Sequence, residues 1–332
     1  MRRREFIGAL GGALLSRPSR VMAQRVERRR IAWLGLGRPD SQSPYVVSFR
    51  EGLKEHGWTE GQNISLTLHW ATGRDDMEAS ARGLLATDPE VIVTQELMTY
   101  ALRATRTEKP VVFGFSGDPV EGQLVESLAR PGRNFTGMSY LAIELVGKRI
   151  ELLKEWMPHT RHIAVLARPQ HPGDHLERQA SEVVVRKLGM EFSYFPYQAA
   201  SLPVRDFSEL DQVFRSIARS GCDALVFFPD SAMYEVCDRV AKFSIDAKLP
   251  TISGWTPFAQ AGLLMTYGPD IRDLYRSLGR YVDKILRGAK PGELPVERPT
   301  KFNLAINLRT AKSIGIVVPP ALLARADEVI ES

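Results

Sequence analysis

The sequence predicts two α/β lobes, each a doubly wound sheet of parallel strands, joined by a hinge that the chain crosses several times. Three observations predict this fold. Short runs rich in valine and isoleucine alternate with helices of ten or more residues, the alternation occurs twice in succession, and further elements follow the second block. Because short buried strands alternating with helices are typical of parallel sheets, we expect right-handed crossovers within each lobe.

The first block accounts for one lobe. Its short apolar runs predict strands at 31–34, 64–70, 91–93 and 111–113. Apolar residues at helical spacing predict helices at 45–56, 75–86, 97–105 and 120–129. Gly57 ends the first of these helices, and Arg130-Pro131-Gly132 ends the last.

The second block repeats the pattern and then continues beyond it. It predicts strands at 163–166, 192–197, 224–228 and 251–252, and helices at 141–156, 174–188, 206–219 and 234–247. The tail adds a strand at 263–267, a helix at 271–286, a spacer rich in proline and glycine at 288–299, a strand at 302–307 and a short helix from 310.

These additional elements indicate that the chain crosses between the lobes more than once. We expect crossings near 139–140, 267–268 and 295–300. The first lobe would then comprise residues 30–138 with about 268–295, and the second 139–267 with about 296–332. Two lobes joined by several segments predict a cleft that opens and closes about a hinge.

The first 23 residues indicate where the protein works. Arg2-Arg3-Arg4 precedes a short apolar run at 6–15, and Val21-Met22-Ala23 ends in small residues. This order predicts an export signal peptide cut near Ala23–Gln24, and hence a periplasmic protein. Arg3-Arg4 resembles a twin-arginine signal, although the general export route stays open. No cysteine stands at the predicted cut, so we expect no lipid anchor.

Most of the net positive charge of the chain lies in these first 23 residues. The chain has 44 Lys and Arg against 39 Asp and Glu, and residues after 23 carry 39 against 38. The body therefore lacks the basic surplus of nucleic-acid-binding proteins, and we expect no nucleic-acid partner. No second apolar run is long enough to span a membrane. Cys222 and Cys237 are expected to stay unbridged, and the protein is expected to be a monomer.

Ligands of open parallel sheets bind beside the carboxyl ends of the strands, where helix N-termini expose N–H groups. Ser116 and Asp118 stand before Pro119 at such an end, and Asp118 is open to two interpretations, a helix cap or a ligand contact. Asp230 and Ser231 repeat this arrangement in the second lobe. The predicted ligand-binding residues are Gly37, Gln95, Glu96, Ser116, Asp118, Asp230, Ser231, Trp255 and Tyr267.

Several enzyme signatures are missing. Gly35-Leu36-Gly37 follows a strand, but Asp40 stands where the dinucleotide fingerprint needs a third glycine. The sequence has neither a nucleophile elbow nor a phosphate-binding loop. His171 and His175 lack a clear third metal ligand. We therefore expect a binding protein with no catalytic residues, no metal and no cofactor.

Several strings carry a family resemblance. Residues 128–137, LARPGRNFTG, resemble the SLARPGGNxTG segment of a large bacterial family of ABC-transporter substrate-binding proteins, whose better-known members bind tryptophan or tyrosine. Residues 117–120, 299–302, 306–312 and 318–330 are similar to further segments of that family, in the same order. The resemblance implies a type I periplasmic-binding-protein fold, a small-molecule ligand and an ABC permease as partner.

One turn departs from that family. Many relatives have a small, open GTPA-like turn after the third strand, whereas this chain has Thr94-Gln95-Glu96-Leu97-Met98. Glu96 would put a negative charge where an amino-acid carboxylate would bind, so it could instead receive an ammonium or hydroxyl group or point into solvent. Two other functions stay open at this stage: a ligand-sensing module for a membrane receptor or kinase, and an exported enzyme.

Overall fold

The computed structural model describes residues 28–37, 43–140, 142–199, 204, 206–230 and 233–331. The predicted signal peptide lies outside the described residues. The first of two sheets has five parallel strands in the order β2-β1-β3-β4-β5. Its strands are β1 (Arg29–Leu36), β2 (Ile64–Ala71), β3 (Val91–Gln95), β4 (Val111–Phe115) and β5 (Phe135–Ser139).

The second sheet has seven strands in the order β12-β11-β10-β9-β8-β6-β7. They are β6 (His162–Ala167), β7 (Glu191–Pro196), β8 (Ala224–Phe227), β9 (Thr251–Ser253), β10 (Met265–Gly268), β11 (Asn303–Asn307) and β12 (Glu328–Ile330). All neighbours pair in parallel except β10 and β11, which are antiparallel.

Helices connect most consecutive strands of both sheets, so the predicted fold class, two doubly wound α/β lobes, is confirmed. They are α1 (Pro44–Glu55), α2 (Met77–Leu85), α3 (Leu97–Ala104), α4 (Ala142–Trp156), α5 (Asp174–Lys187), α6 (Ser208–Arg219), α7 (Cys237–Asp246), α8 (Thr256–Gln260), α9 (Ile271–Leu286), α10 (Leu308–Ile314) and α11 (Pro320–Leu323). Local sequence starts several of them. At α1, for example, Ser43 Oγ accepts a hydrogen bond from the Val46 N–H, and proline occupies the first turn.

The chain returns to the first lobe after β10. Helix α9 packs on α1, and the two backbones touch because the contact is made by glycines. A Cβ atom on Gly52 would overlap the carbonyl oxygen of Arg276, and one on Gly279 would lie 2.5 Å from the Gly52 carbonyl carbon. Glu297 then pairs with Met138 of the first sheet before β11 joins the second sheet. Three segments therefore connect the lobes.

One predicted element was wrong, and several elements were missed. Residues 120–129 form turns rather than a helix, because Gln123 has a φ of +54° that a right-handed helix cannot accommodate and Gly122 weakens helix formation. Strand β5 was not predicted, because Phe135-Thr136-Gly137-Met138-Ser139 is neither continuously apolar nor alternating. Its Gly137 is required, since a Cβ atom there would overlap the backbone of Phe113. Strand β12 and the short helices α8 and α11 were also missed.

The apolar core continues from one lobe to the other. One buried cluster includes Trp33 of the first lobe, Tyr140 at the crossing and Trp255 of the second lobe. Within the described ranges, no helix is both long and apolar enough to cross a membrane. Cys222 and Cys237 are free thiols, as predicted.

Candidate functional site

The predicted site lies where each sheet changes its direction of winding. In the first sheet this point is between β1 and β3, and in the second it is between β6 and β8. The loops that leave these four strands carry Gly37, Gln95 with Glu96, the segment 168–173, and Asp230. Ligands of doubly wound sheets bind at such points, because the loops on either side diverge and leave a crevice.

A polar contact crosses the cleft between the two lobes. Ser116 Oγ, at the end of β4, donates to Glu96 Oε2 at 2.6 Å. The same hydroxyl lies 3.4 Å from Nδ1 of His171 in the second lobe. Ser116, Glu96 and His171 are all buried. Ser116, which bonds to Glu96 in its own lobe, therefore meets a residue of the opposite lobe.

His171 belongs to a line of buried charges in the second lobe, which we call the charged chain. Its Nε2 lies 2.9 Å from Glu177 Oε2, and its Nδ1 lies 3.3 Å from Asp230 Oδ2. Arg168 Nε donates to the same Asp230 oxygen at 3.2 Å. At the other end, Arg149 Nη1 lies 3.7 Å from Glu177 Oε1, and Arg149 Nε donates to a backbone carbonyl, that of Tyr267. These five side chains are at most 5% exposed.

Burial and pairing set the protonation of this site. Burial alone would lower the pKa of His171, but its hydrogen bonds to Asp230 and Glu177 raise that pKa well above its usual value. Burial lowers the pKa of Arg149 to about 10, against the attraction of Glu177. Burial raises the pKa of Glu96 to about 7, although His171 and Ser116 oppose the shift. His171 is therefore an imidazolium ion that both carboxylates accept from.

Glu96 is held in an unusual geometry. Its φ of +48° is rare for a residue other than glycine, and it stands at the N-terminus of α3 without capping that helix through its side chain. Its Oε2 accepts from Ser116, while Oε1 is buried and has no hydrogen-bond partner among the described residues. A buried carboxyl oxygen without a donor is costly, so this atom is an acceptor available to a ligand.

Aromatic rings form the other side of the cleft, and we call Tyr45, Tyr140, Trp255 and Tyr275 the aromatic cluster. The ring of Tyr275 lies 4.9 Å from that of Tyr45 and 6.4 Å from that of Tyr140. Tyr140 meets Trp255 edge to face at 6.4 Å. Tyr140 donates to the Tyr275 hydroxyl at 2.9 Å, and Tyr275 donates to Gln95 Oε1. Such rings offer stacking surface to a flat ligand.

The structure places the remaining predicted residues differently. Asp118 is exposed, and its Oδ1 accepts from the N–H groups of Val120 and Glu121, so it caps its own turn. The Tyr267 ring packs on Phe302 at 6.1 Å and is not part of the aromatic cluster. Gly37 has a φ of +102°, which glycine tolerates, and follows β1 directly.

Ser231 lies outside the described residues. Several residues of the site were not predicted: Tyr45, Arg149, Arg168, His171, Glu177 and Tyr275. Arg168 and His171 lie in the loop that follows β6, so the strand-end rule alone could have identified them. Arg149, Glu177 and Tyr275 lie inside helices, where the sequence gives no such signal.

Two further contacts hold the lobes together. His175 Nε2 lies 2.8 Å from Glu121 Oε1 at the exposed edge of the cleft. Nearby, the backbones themselves approach, since a Cβ atom on Gly117 would lie 2.8 Å from the carbonyl oxygen of Pro172. Within the described part of the chain, no group of three His, Cys, Asp or Glu side chains could hold a metal ion.

Comparisons with known proteins agree with this architecture. A solved structure of a conserved domain protein from Vibrio cholerae has a TM-score of 0.83 and 25% identity, and the match covers 91% of this chain and 100% of that one. The ABC domain from Streptococcus pneumoniae in complex with L-Trp has a TM-score of 0.81 and 22% identity, with 91% and 100% covered. The ligand-free, open substrate-binding protein CD0873 from Clostridium difficile has a TM-score of 0.65 and 21% identity, with 92% and 100% covered.

Sequence comparison identifies the family. A protein of Clostridioides difficile named tyrosine-binding protein is 24% identical over 271 residues, which are 81% of this chain and 75% of that protein. The model of the family described as ABC transporter substrate binding protein matches residues 38–330. Members of this family are binding proteins rather than enzymes, as the sequence predicted. The chain therefore belongs to the ABC transporter substrate-binding protein family.

Proposed function

We propose that this protein is the periplasmic binding component of an ABC importer, and that its lobes close on a small organic molecule, an amino acid or an aromatic compound. One observation carries the proposal. The loop after β4 of the first lobe meets the loop after β6 of the second across the cleft, through Ser116 and His171, beside a cluster of aromatic rings. A cleft with polar groups at one end and rings at the other suits a ligand with an apolar body and a polar head.

The lobe boundaries proposed for this motion follow the three connecting segments. Residues 30–138 with about 268–295 form the first lobe, and 139–267 with about 296–332 the second. A ligand drives closure only by binding the closed arrangement better than the open one, and a few kcal/mol of difference would dominate the population. The contacts between the lobes, of Ser116 with His171 and of Glu121 with His175, support a closed arrangement here.

Individual roles follow from the contacts. We propose that Glu96 Oε1 accepts from a ligand donor, with Ser116 and Asp230 as further polar groups, and that Trp255 stacks against the ligand. The names of two relatives, one tyrosine-binding and one in complex with L-Trp, support an aromatic ligand. Gly37, Gln95 and Ser231 are proposed as further residues that contact the ligand. Asp118 and Tyr267 have the weakest support, because their side chains have partners elsewhere.

A ligand screen tests this function. Protein freed of co-purified ligand by unfolding and refolding is heated with L-tryptophan, L-tyrosine, the other amino acids, aromatic acids and nucleosides. We expect an amino acid or aromatic acid to raise the melting temperature of the wild type, and Asp230→Asn to reduce that rise. Asp246→Asn, on the exposed face of α7, is the matched control and should behave as the wild type. Failure of every compound to protect the protein would contradict the proposed ligand class.

We also propose that the protein is exported, on the sequence of residues 1–23, and that its partner is a permease, on its family. Cleavage near Ala23–Gln24 would release a monomer that presents its closed form to a permease in the inner membrane. The mass of the protein recovered from a periplasmic extract tests the cut. A mass that still includes residues 1–23 would argue against export by a cleaved leader.

A further inference from the structure

A second cavity lies beside the charged chain. It has a volume of about 190 Å³, and both lobes line it. Gly73 and Arg74 contribute from the first lobe, after β2. Arg168, Gln170 and Gln198 contribute from the second lobe, after β6 and β7. The cavity therefore lies at the carboxyl ends of strands of both sheets, as the candidate site does.

In the described part of the chain, Arg168 is held in place by a hydrogen bond from only one of its three guanidinium nitrogens. Its side chain is 5% exposed, and its Nε donates to Asp230 Oδ2 at 3.2 Å. Within the described residues, Asp230 is the only hydrogen-bond partner of this guanidinium group. The two terminal nitrogens have no acceptor among the described residues, and Arg168 lines the cavity, so they are donors available to a ligand there. A ligand oxygen in the cavity would satisfy them.

Arg74 brings a second positive charge to the same cavity. It is exposed, and no described residue pairs with it by a hydrogen bond or a salt bridge. The two arginines come from opposite lobes, so closure brings two like charges to one small space. An anion between them would turn this repulsion into attraction and would favour the closed arrangement.

The cavity also contains an acceptor. Gln170 donates from Nε2 to Gln198 Oε1, and Gln170 Oε1 is buried without a partner in the described structure. A ligand hydroxyl or amine next to the anionic group could donate to it. The chemistry of the cavity is that of a planar oxyanion site, because a guanidinium group binds a carboxylate through two parallel hydrogen bonds.

We propose that this cavity is an anion subsite of the ligand-binding cleft and that the transported molecule carries a carboxylate. Arg168 holds the carboxylate from the second lobe, and Arg74 closes on it from the first. This inference rests on the proposed function and assigns the orientation of the ligand in the cleft. The carboxylate binds at the two arginines, and a donor group binds at Glu96 Oε1.

Three related compounds test this orientation of the ligand. Binding of L-tryptophan, indole-3-propionate, which lacks the ammonium group, and tryptamine, which lacks the carboxylate, is measured by calorimetry on the full chain. In Arg74→Gln we expect affinity for the two carboxylates to fall about tenfold and affinity for tryptamine to stay within about twofold. Arg82→Gln, on α2 and paired with Glu78, is the matched control and should bind all three as the wild type does. An equal loss for all three probes, or no loss for the carboxylates, would overturn the subsite.

A second variant tests the buried arginine. Arg168→Lys keeps a positive charge but cannot form two parallel bonds, so we expect the same selective loss. Because Arg168 also supports Asp230, Arg168→Lys tests folding as well as binding, whereas Arg74→Gln removes no side-chain hydrogen bond or salt bridge to a described residue.

The probes separate the two proposals. If none of the three binds the wild type, the aromatic ligand is wrong. The subsite is then tested alone with malonate against chloride at equal ionic strength. Malonate should raise the melting temperature of the wild type more than that of Arg74→Gln, and equal shifts would overturn the subsite.

Discussion

The polar and aromatic sides of the cleft are assembled in different ways. On the polar side, Ser116 of the first lobe meets His171 of the second, and neither partner lies near a connecting segment in sequence. On the aromatic side, Tyr45 and Tyr275 pack within the first lobe, and Tyr140 lies on the segment that joins the lobes. If the lobes open and close as proposed, the polar contacts exist only in the closed arrangement, whereas most of the ring contacts persist in both.

This difference predicts different roles in binding for the polar side and the aromatic side of the cleft. A preformed aromatic surface binds an apolar group at little cost in ordering, since its rings are already packed. Polar groups that meet only on closure instead make binding depend on the closed arrangement. Substitutions on the polar side should therefore change closure and pH dependence, and those on the aromatic side should change the stability of a lobe.

The largest effect is expected for a histidine of the polar side. His171→Ala leaves Glu177 and Asp230 buried without the imidazolium, and we expect the free energy of unfolding to fall by about 3–5 kcal/mol. His175→Ala is the matched control, because His175 forms an exposed pair with Glu121 and should cost about 0–1 kcal/mol. Urea unfolding measures both. Equal losses would mean that the charged chain contributes nothing beyond an ordinary surface pair.

Glu96 should make stability depend on pH. Its pKa is about 7 in the folded protein and 4.5 as the reference value, so the folded state binds more protons in this range. The stability contributed by the protonated carboxyl is complete below 4.5 and is lost as pH rises through 7, by about 3 kcal/mol. Glu96→Gln cannot titrate and should lose less stability between about pH 5 and about pH 8 than the wild type. The exposed Glu121→Gln should follow the wild type, and identical pH profiles for all three proteins would exclude this role of Glu96.

These residues also show how far sequence alone reaches. Strand ends can be located from apolar runs, and a residue just beyond a strand end lies at the cleft in any doubly wound sheet. Gln95, Glu96, Ser116 and Asp230 were predicted in this way, and they lie at or just beyond strand ends. Arg149, Glu177 and Tyr275 could not be, because their roles depend on which face of a helix packs against which loop, a tertiary property. For Asp118 the sequence left two interpretations open, and here its side chain caps its own turn, as an aspartate at a strand end readily does.

On the aromatic side, the Tyr275 hydroxyl links two partners. Tyr275→Phe would leave Gln95 Oε1 without its donor and the Tyr140 hydroxyl without its acceptor, so we expect a loss of about 1–3 kcal/mol in unfolding free energy. Tyr100→Phe is the matched control, since no described residue forms a hydrogen bond with the Tyr100 hydroxyl. Thermal unfolding compares the two variants. If Tyr275→Phe is as stable as Tyr100→Phe, the hydroxyl chain does not stabilise the packed rings.

The smallest expected change separates closure from stability. Gly117 belongs to the first lobe, and the nearest atom to an added Cβ is the Pro172 carbonyl oxygen across the cleft, at 2.8 Å. The added carbon would also lie 3.0 Å from Phe115 Cε1 in the same lobe, so Gly117→Ala should lose some stability, and it should in addition resist the last step of closure. Gly83→Ala, in α2 with no atom within 4 Å of the added carbon, is the control and should stabilise the protein by up to about 1 kcal/mol without changing affinity.

Affinity is measured by calorimetry with whichever compound of the ligand screen binds the wild type. We expect Gly117→Ala to weaken it about tenfold, or about 1.4 kcal/mol, because the ligand must then close the lobes against a steric contact. Gly173→Ala should weaken binding less, since its added carbon would lie 3.3 Å from Ser116 O and from His171 Nε2. Unchanged affinity in both alanine variants would mean that the ligand binds without bringing these two loops together. The contact of Ser116 with His171 would then play no part in binding. Ser116 lies in the same loop as Gly117, and His171 lies in the same loop as Gly173.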